Sequence, residues 1–290
     1  MVDKRFKVGV RLGHGAFGQL YKGVDQRTGQ EVAIKLEPVD APHPQLHYEA
    51  RLYALLQKNI GIPRLIWSGQ EGAHNVLVLE LLGKNLEDLV SSPQCNNKFS
   101  LKTILMLADG MLRRIQSVHA AGFVHRDIKP DNFVMGPPHG KRVYILDFGL
   151  SKAYWDPVSK AHIPYRDDKS LTGTPRYASV HAHQGIEQSR RDDMEAIGYV
   201  LIYLFKGSLP WQTLHAKKGT NWQKEIGVMK AALPLEELCE GLPSEFLRYM
   251  QYCRGLEFEE TPNYGHWIDT FRGLYHTRKF PRDNLYDWNK

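Results

Sequence analysis

Residues 125–132, HRDIKPDN, place charged and amide side chains between two apolar segments of the chain. Asp127 could orient a substrate hydroxyl group and accept its proton, and Lys129 could neutralise charge on a transferred phosphoryl group. Asn132 and, fifteen residues further on, Asp147 of ILDFGL could hold a metal ion. Such hard oxygen ligands suit Mg²⁺. A solvated surface loop is the alternative, but it would not require these groups in this order.

A second candidate lies near the N-terminus, where LGHGAFGQLY contains Gly13, Gly15 and Gly18 in a GxGxxG pattern. This pattern is weak evidence by itself. A dinucleotide-binding fingerprint joins a strand to a helix, whereas here β-type sequence lies on both sides. The pattern therefore predicts a hairpin whose backbone can fold over phosphate groups.

Two opposite charges occupy positions that face inward. Lys35 ends the apolar strand VAIK, and an unpaired buried lysine is costly. Taken alone, Lys35 could simply face water. Glu49, however, lies at helical spacing with apolar residues, namely Leu46, Leu52, Tyr53 and Leu56. We therefore predict a Lys35–Glu49 pair that holds nucleotide phosphates.

The chain changes character after roughly its first 80 residues, as turn-bounded β-rich segments give way to helical periodicity. Strands are predicted at 6–25 (a hairpin), 30–39, 62–71 and 75–82, with one helix at 44–57. Helices are predicted downstream at 100–122, 190–205, 222–232, 234–239, 243–255 and 264–276. This order predicts an α+β fold of two lobes, a β-rich N-lobe with one main helix and a larger, mainly helical C-lobe.

Two of the predicted helices have particular patterns. In residues 100–122, Ser100 is a good N-cap and Gly122 a good stop. The apolar face comprises Leu101, Ile104, Leu105, Ala108, Leu112, Ile115 and Val118. Residues 190–205 are apolar around most of the circumference, which predicts a helix buried inside its lobe.

Composition narrows the functional classes. The formal charge of +6 favours an anionic partner, but the chain has no Lys/Arg block or nucleic-acid motif, so we expect no nucleic acid. Cys95, Cys239 and Cys253 form no paired framework, which favours a reducing compartment. The N-terminus lacks the apolar core of a signal peptide, and no apolar run approaches the roughly 20 residues that span a bilayer.

These motifs together resemble the casein kinase I family of eukaryotic protein kinases. HRDIKPDN matches the kinase catalytic-loop pattern with Ile128 in place of leucine. The stretches IGIPRLIWSGQEG, LELLGKNLEDL, HIPYRDDKSLTGTPRYAS and YDWN extend the resemblance over residues 6–288. It implies the bilobal protein-kinase fold, with an N-lobe at about 1–82, a hinge at about 80–86 and a C-lobe at about 87–290.

The resemblance also implies a function. The chain would be a monomeric serine/threonine kinase of the cytoplasm or nucleus that uses ATP and Mg²⁺ on acidic or already phosphorylated protein substrates. Catalytic roles fall to Lys35, Glu49, Asp127 and Lys129, and metal binding falls to Asn132 and Asp147. Residues implied to bind ATP are Leu12, Gly13, Gly15, Gly18, Leu20, Ala33, Lys35, Leu79 as gatekeeper, Glu80, Leu82, Asp88, Val134 and Leu146. Asp193 would brace the catalytic loop.

The resemblance also implies an anion site that determines substrate choice. Its cationic residues would be Arg126, Lys152, Lys169 and Arg176. Pairing with Asp167, Asp168 or Glu187 is the alternative for these side chains. The basic contact that family members carry after GSLPWQ must come from Lys217, Lys218 or Lys224, or be missing.

Other interpretations remain. Where most kinases have Ala-Pro-Glu, this chain has Ser-Val-His at 179–181, and we expect only a packing or capping role for His181. A catalytically silent scaffold is disfavoured because the catalytic and metal residues are all present. Tyrosine specificity is disfavoured by Lys129, since tyrosine kinases usually place arginine at or near that position.

Overall fold

The structure, a computed structural model, describes residues 1–15, 18–137, 140–214 and 221–289. These residues form two compact units. The first comprises Met1–Lys84 and Val134–Gly149, and the second comprises Asn85–Phe133 and Leu150–Lys290. Lys217 and Lys218 lie outside the described residues.

A five-stranded antiparallel sheet in the order β1-β2-β3-β5-β4 dominates the first unit. Its strands are β1 (Phe6–Gly15), β2 (Gly18–Asp25), β3 (Glu31–Pro38), β4 (Leu65–Glu71) and β5 (His74–Glu80). The predicted strands are thus confirmed, with ends shifted by a few residues. The shorter strands are β6 (Phe123–Val124), β7 (Phe133–Met135), β8 (Val143–Ile145), β9 (Lys152–Ala153), β10 (Trp155–Asp156) and β11 (Ala161–His162). They pair as β6–β9, β7–β8 and β10–β11.

The two faces of the large sheet differ because side chains alternate along each strand. One face carries a buried core of Val2, Phe6, Val32, Ile34, Val76 and Val78. The intervening residues of β3, Ala33 and Lys35, therefore point to the opposite face. The register pairs Ala33 with Leu79 and Lys35 with Leu20, so all four share that face.

The first helix of the chain, α1 (Leu46–Leu56), confirms the helix predicted at 44–57. Its start is fixed by the buried carboxylate of Glu37, which accepts the N–H groups of Gln45 at 2.7 Å and Leu46 at 3.2 Å. A negative charge suits the unpaired N–H groups of a helix N-terminus. The buried face of α1 includes Glu49.

Helices dominate the described part of the second unit. They are α2 (Leu86–Val90), α3 (Leu101–Ala120), α4 (Val180–His183), α5 (Arg190–Lys206), α6 (Trp222–Ala232), α7 (Leu235–Leu238), α8 (Ser244–Gly255) and α9 (Tyr264–Thr277). All six helices predicted in this region are confirmed. The short α2 and α4 were not predicted, because four or five residues are too few to show a helical period.

The end signals of α3 act as predicted. The Ser100 hydroxyl accepts the N–H of Thr103 at 3.4 Å, and Gly122 follows the helix with a φ of 86°, a value that favours glycine. The predicted face of α3 is buried except for Leu101, which is half-buried. In α5, the whole run from Arg190 to Leu204 is buried, as expected for a central helix. None of the described helices combines the length and the apolarity that crossing a membrane would take.

Candidate active site

Three charged side chains meet in the first unit. The Lys35 ammonium lies 2.7 Å from Glu49 Oε2 and 3.1 Å from Asp147 Oδ1. Strand β3 supplies the lysine, α1 supplies the glutamate, and Asp147 follows β8 by two residues. The predicted Lys35–Glu49 pair is therefore present, and Asp147 joins it.

The electrostatics of this cluster follow from burial and from the count of charges. Burial raises the pKa of Glu49 to about 7. Burial also opposes the charge on Lys35, but the carboxylates of Glu49 and Asp147 outweigh it and raise the pKa of the ammonium. We take Lys35 as charged. The free-energy cost of burying these charges then shows as the raised pKa of Glu49, whose side chain is only 2% exposed.

The backbone around Asp147 is held in an uncommon conformation. Its φ is 64°, a left-handed value that non-glycine residues rarely adopt. Its N–H donates to the Tyr53 hydroxyl at 3.0 Å. The ring of Tyr53 meets the buried ring of Phe148 edge-on at 5.0 Å. Helix α1 thus fixes both the main chain of Asp147 and the side chain that follows it.

The glycine-rich segment forms the predicted hairpin, with Gly15 of β1 paired to Gly18 of β2. Gly18 has a φ of 128°, and a Cβ there would lie 2.2 Å from the Leu36 carbonyl oxygen, so only glycine fits. A Cβ built at Gly13 would meet no described atom within 4 Å, which leaves room for a ligand beside the backbone. Leu12 and Leu20 are exposed on this hairpin.

Three of the residues implied to bind ATP, Leu79, Glu80 and Leu82, lie at or just after the end of β5. The pairs Gly83–Met135 and Met135–Lys84 are joined by N–H···O bonds of 2.9 and 3.1 Å, so strand β7 runs beside the segment that follows β5. Val134 belongs to this strand, whereas Leu146 follows β8.

Glu80 donates its N–H to the Arg64 carbonyl at 3.0 Å, so any contact from Glu80 to a base would come from its carbonyl oxygen. Leu82 follows β5 and is half-buried.

In the second unit, Asp127 accepts hydrogen bonds on both carboxylate oxygens. Lys129 Nζ lies 2.6 Å and Asn132 Nδ2 3.3 Å from Oδ2, and the Thr174 hydroxyl donates to Oδ1 at 2.7 Å. Asn132 Nδ2 also donates to the Asp127 carbonyl at 2.8 Å. These bonds fix the orientation of a carboxylate that is only 4% exposed. Sequence patterns do not single out Thr174.

The backbone before Asp127 is anchored on α5. Asp193 accepts the peptide N–H groups of His125 at 2.7 Å and Arg126 at 2.9 Å, and His119 Nε2 lies 2.8 Å from the same carboxylate. Burial alone would raise the pKa of Asp193, but the contact with His119 and the nearby N–H groups lower it below its ordinary value. Arg126 takes a φ of 69°, and this anchoring holds it there. Asp193 therefore braces the loop, as the resemblance implied.

Comparison with known families decides the identity of this arrangement. The family model of the protein kinase domain matches residues 6–251. The chain belongs to the protein kinase family. The predicted α+β fold, with the elements of the bilobal kinase architecture, is thereby confirmed.

Protein kinases generally use ATP with Mg²⁺, and the donor groups of this kinase fit that use. The side-chain amide of Asn132 donates an N–H to the Asp127 carbonyl, which leaves its own carbonyl oxygen available to a metal ion. In the first unit, the carboxylate of Asp147 is a hard oxygen donor of the kind that Mg²⁺ prefers. Among the described residues there is no cluster of three or more metal-ligating side chains.

Three of the four residues predicted for the anion site line one cavity of the kinase, with a volume of about 200 Å³. Arg126, Lys152 and Lys169 surround the buried Glu187, whose Oε2 lies 2.7 Å from Lys152 Nζ and 3.5 Å from Lys169 Nζ. Burial alone would raise the pKa of Glu187, but the two lysines lower it. The alternative pairing with Glu187 thus occurs for both lysines, whereas Arg126 Nε donates to the Leu150 carbonyl oxygen at 2.7 Å.

The structure does not bring Arg176 into this cluster. Its guanidinium lies over the rings of Tyr177 and Tyr203, 5.7 Å from each centroid. It lines a separate cavity of about 400 Å³, together with Lys129 and Thr174. Lys224 is exposed on α6, and Asp88, one of the residues implied to bind ATP, is exposed on α2.

The segment that replaces Ala-Pro-Glu is held by other carboxylates. Ser179 caps α4 by accepting the N–H of Ala182 at 3.0 Å, and Val180 donates its N–H to Glu195 at 3.3 Å. Glu195, on α5, also pairs with Arg254 at 3.4 Å. His181 lies within α4, and burial lowers the pKa of its ring. Glu195 thus supplies to this segment a carboxylate that the sequence motif lacks.

Proposed function

We propose that this kinase transfers the γ-phosphoryl group of Mg–ATP to serine or threonine residues of acidic or already phosphorylated proteins, in the manner of casein kinase I. The observation that carries the proposal is the carboxylate of Asp127, held on one oxygen by Lys129 and on the other by Thr174. A carboxylate oriented in this way can align a substrate hydroxyl and accept its proton. Lys129 can then stabilise the charge that develops on the phosphoryl group.

Other residues would bind the nucleotide. The hairpin of Gly13, Gly15 and Gly18 would cover the phosphates, Lys35 would bind them, and Glu49 would hold Lys35. Asp147 in the first unit and Asn132 in the second are each proposed as oxygen ligands of Mg²⁺. Mg²⁺ would neutralise phosphate charge when bound. The base and ribose would be contacted by Leu12, Leu20, Ala33, Leu79, Glu80, Leu82, Asp88, Val134 and Leu146.

Substrate preference is argued from the cluster of Arg126, Lys152 and Lys169. The single carboxylate of Glu187 lies 2.7 Å from the Lys152 ammonium and 3.5 Å from the Lys169 ammonium, and Arg126 lines the same cavity. A phosphate group carries close to two negative charges at neutral pH, so it would balance the cluster better than a single carboxylate of Asp or Glu. Supporting this role, Ser170, Thr172 and Gln188 line the same cavity and add polar groups. Arg176 lies elsewhere, and we assign it no part in this preference.

The test compares three peptides that differ only three residues before the target serine, where they carry Ser, Asp or phosphoserine. Wild type should phosphorylate the phosphoserine peptide best and the Ser peptide worst. Lys169→Met should lower kcat/KM for the primed peptide about tenfold, since a contact with a charged partner contributes ~1.5 kcal/mol or more. Its rate on the Ser peptide should stay within about twofold, because Lys169 reaches no substrate group there.

The matched control is Arg176→Met, which removes a cation outside the cluster. The ratio of primed to unprimed kcat/KM should be unchanged in this variant, even where both rates fall. Equal wild-type rates on all three peptides would contradict the anion-site proposal. Absence of phosphoryl transfer to any serine or threonine peptide would contradict the proposed activity itself.

We further propose that the kinase acts as a monomer in the cytoplasm or nucleus. Cys95, Cys239 and Cys253 are free and buried, which fits a reducing compartment.

A further inference from the structure

A lysine that belongs to none of the predicted sites is fully buried in the second unit. Lys230, in the last turn of α6, has no exposed surface. Its ammonium donates to the carbonyl oxygens of Pro175 at 2.8 Å and Ala178 at 2.6 Å. The rings of Tyr199 and Trp211 flank it, each centroid 4.8 Å from Nζ.

Packing alone does not account for a lysine at this position. Burial disfavours the ammonium and lowers the pKa of Lys230 well below its ordinary value. A methionine would fill a similar volume without that cost, because its side chain is unbranched and apolar. What methionine lacks is the pair of hydrogen bonds to the two carbonyl groups, so these bonds are the distinctive contribution of Lys230.

Two further side chains donate to the same stretch of backbone. Trp211 Nε1 donates to the Arg176 carbonyl at 2.8 Å, and His183 Nε2 lies 3.0 Å from the Pro175 carbonyl. Burial lowers the pKa of His183 to about 4, so its ring is neutral and Nε2 carries the proton that a carbonyl acceptor requires. The carbonyl groups of residues 175, 176 and 178 therefore all accept hydrogen bonds from side chains of α4, α6 and Trp211.

The held backbone adjoins the catalytic carboxylate. Residues 175–178 come directly after Thr174, whose hydroxyl donates to Asp127 at 2.7 Å. Pro175 and Arg176 line a cavity of about 400 Å³ together with Lys129 and Thr174. Lys129 also contacts Asp127, at 2.6 Å. A substrate chain whose hydroxyl reaches Asp127 would thus pass along this cavity.

We propose that Lys230 is a positioning residue for the protein substrate. By binding the carbonyls of Pro175 and Ala178, it fixes the wall of the cavity against which the extended chain beside the target residue lies. This inference rests on the proposed function, because it requires a protein whose hydroxyl group reaches Asp127. Lys230 touches neither the nucleotide-binding residues nor the carboxylate in the described structure, so its effect should be confined to the protein substrate.

The test uses Lys230→Met, which keeps the volume and deletes both hydrogen bonds. Steady-state kinetics would be measured with peptide and with ATP as the varied substrate, alongside slow ATP hydrolysis without peptide. We expect kcat/KM for the peptide to fall by roughly tenfold to a hundredfold, mainly through the KM for peptide. The KM for ATP and the peptide-independent hydrolysis should change by less than about twofold. The matched control, Lys98→Met, makes the same change at an exposed lysine and should leave all of these kinetic constants unchanged.

A second variant guards against a folding defect in Lys230→Met. Trp211→Phe keeps an aromatic ring beside the ammonium and removes the N–H that binds the Arg176 carbonyl, together with part of the indole that lines the cavity. It should shift the KM for peptide in the same direction by a smaller factor. An unchanged KM for peptide in both variants, or equal losses for peptide and ATP, would overturn the positioning role. A wild-type enzyme that hydrolyses ATP but phosphorylates no peptide would instead refute the proposed function, and the positioning role with it.

Discussion

Thr174→Val should show how much the hydroxyl bonded to Asp127 contributes to phosphoryl transfer. Valine has nearly the shape of threonine, so the substitution removes the 2.7 Å bond to Oδ1 with little change in packing. The two other donors, Lys129 and Asn132, both contact Oδ2. Asp127 would then lose its described constraint on Oδ1, and its carboxylate could rotate away from the hydroxyl-accepting orientation.

The size of the effect follows from the charge on the acceptor. A hydrogen bond to a charged group contributes about 1.5–3 kcal/mol, and about 1.36 kcal/mol corresponds to one factor of ten in rate. We therefore expect kcat to fall by roughly tenfold to a hundredfold. The KM for ATP should stay within about twofold, because Thr174 acts on the carboxylate and not on the nucleotide. Thr174→Ser retains the hydroxyl and should recover most of the activity.

The assay is steady-state phosphorylation of a serine peptide, with Asp127→Asn defining the rate that remains without the carboxylate. Thr277→Val serves as the control, since it removes an exposed hydroxyl bonded to the carbonyl of Gly273 in its own helix at 2.9 Å. Wild-type kcat in Thr174→Val would refute the idea that this bond orients Asp127. A loss in Thr174→Ser as large as that in Thr174→Val would show that the fit of the side chain matters and not its hydroxyl.

Two further predictions concern charge. Asp147→Ala should abolish the gain in ATP affinity on adding Mg²⁺, measured by calorimetric titration with and without the metal; an unchanged gain would move the metal role to another residue. Burial raises the pKa of Asp192 from 3.8 to about 7, so between these values the folded protein binds a proton that the unfolded chain has lost. This contribution to stability is full below pH 4 and is lost as pH rises through 7. The free energy of unfolding of wild type relative to Asp192→Asn, from urea titrations, should therefore be greater at pH 5 than at pH 8; the same value at both pH values would contradict the raised pKa.

Local features of the sequence were sufficient to predict most helices and strands and one tertiary contact. Ser100 and the apolar spacing that follows it predict α3 nearly to the residue, because capping and amphipathic burial are local properties. The Lys35–Glu49 pair was also predictable. Each charge lies on the apolar side of its own element, and each needs a partner.

Contacts that depend on how distant segments pack could not be read from the sequence. Thr174 lies 47 positions from Asp127, and no periodic pattern marks either one as the partner of the other. The same limit applies to the anion site. The resemblance implied a cationic group of four, but Arg176 packs on Tyr177 and Tyr203 because a guanidinium can stack on aromatic rings.

Helix α5 has an apolar body but begins with the charged sequence RRDDME, and the contacts of these residues explain why. A central helix exposes only its end to polar neighbours, so the charges there must be paired within the protein. Asp193 binds the backbone before Asp127, and Asp192 binds the Ser179 hydroxyl. Glu195 binds the N–H of Val180. One rigid helix end thus sets the catalytic loop and the segment near the substrate cavity at once. A shift of either against the other would break a charge-assisted bond in a buried site, which is costly. The position of Asp127 therefore depends on α5 as well as on the catalytic loop.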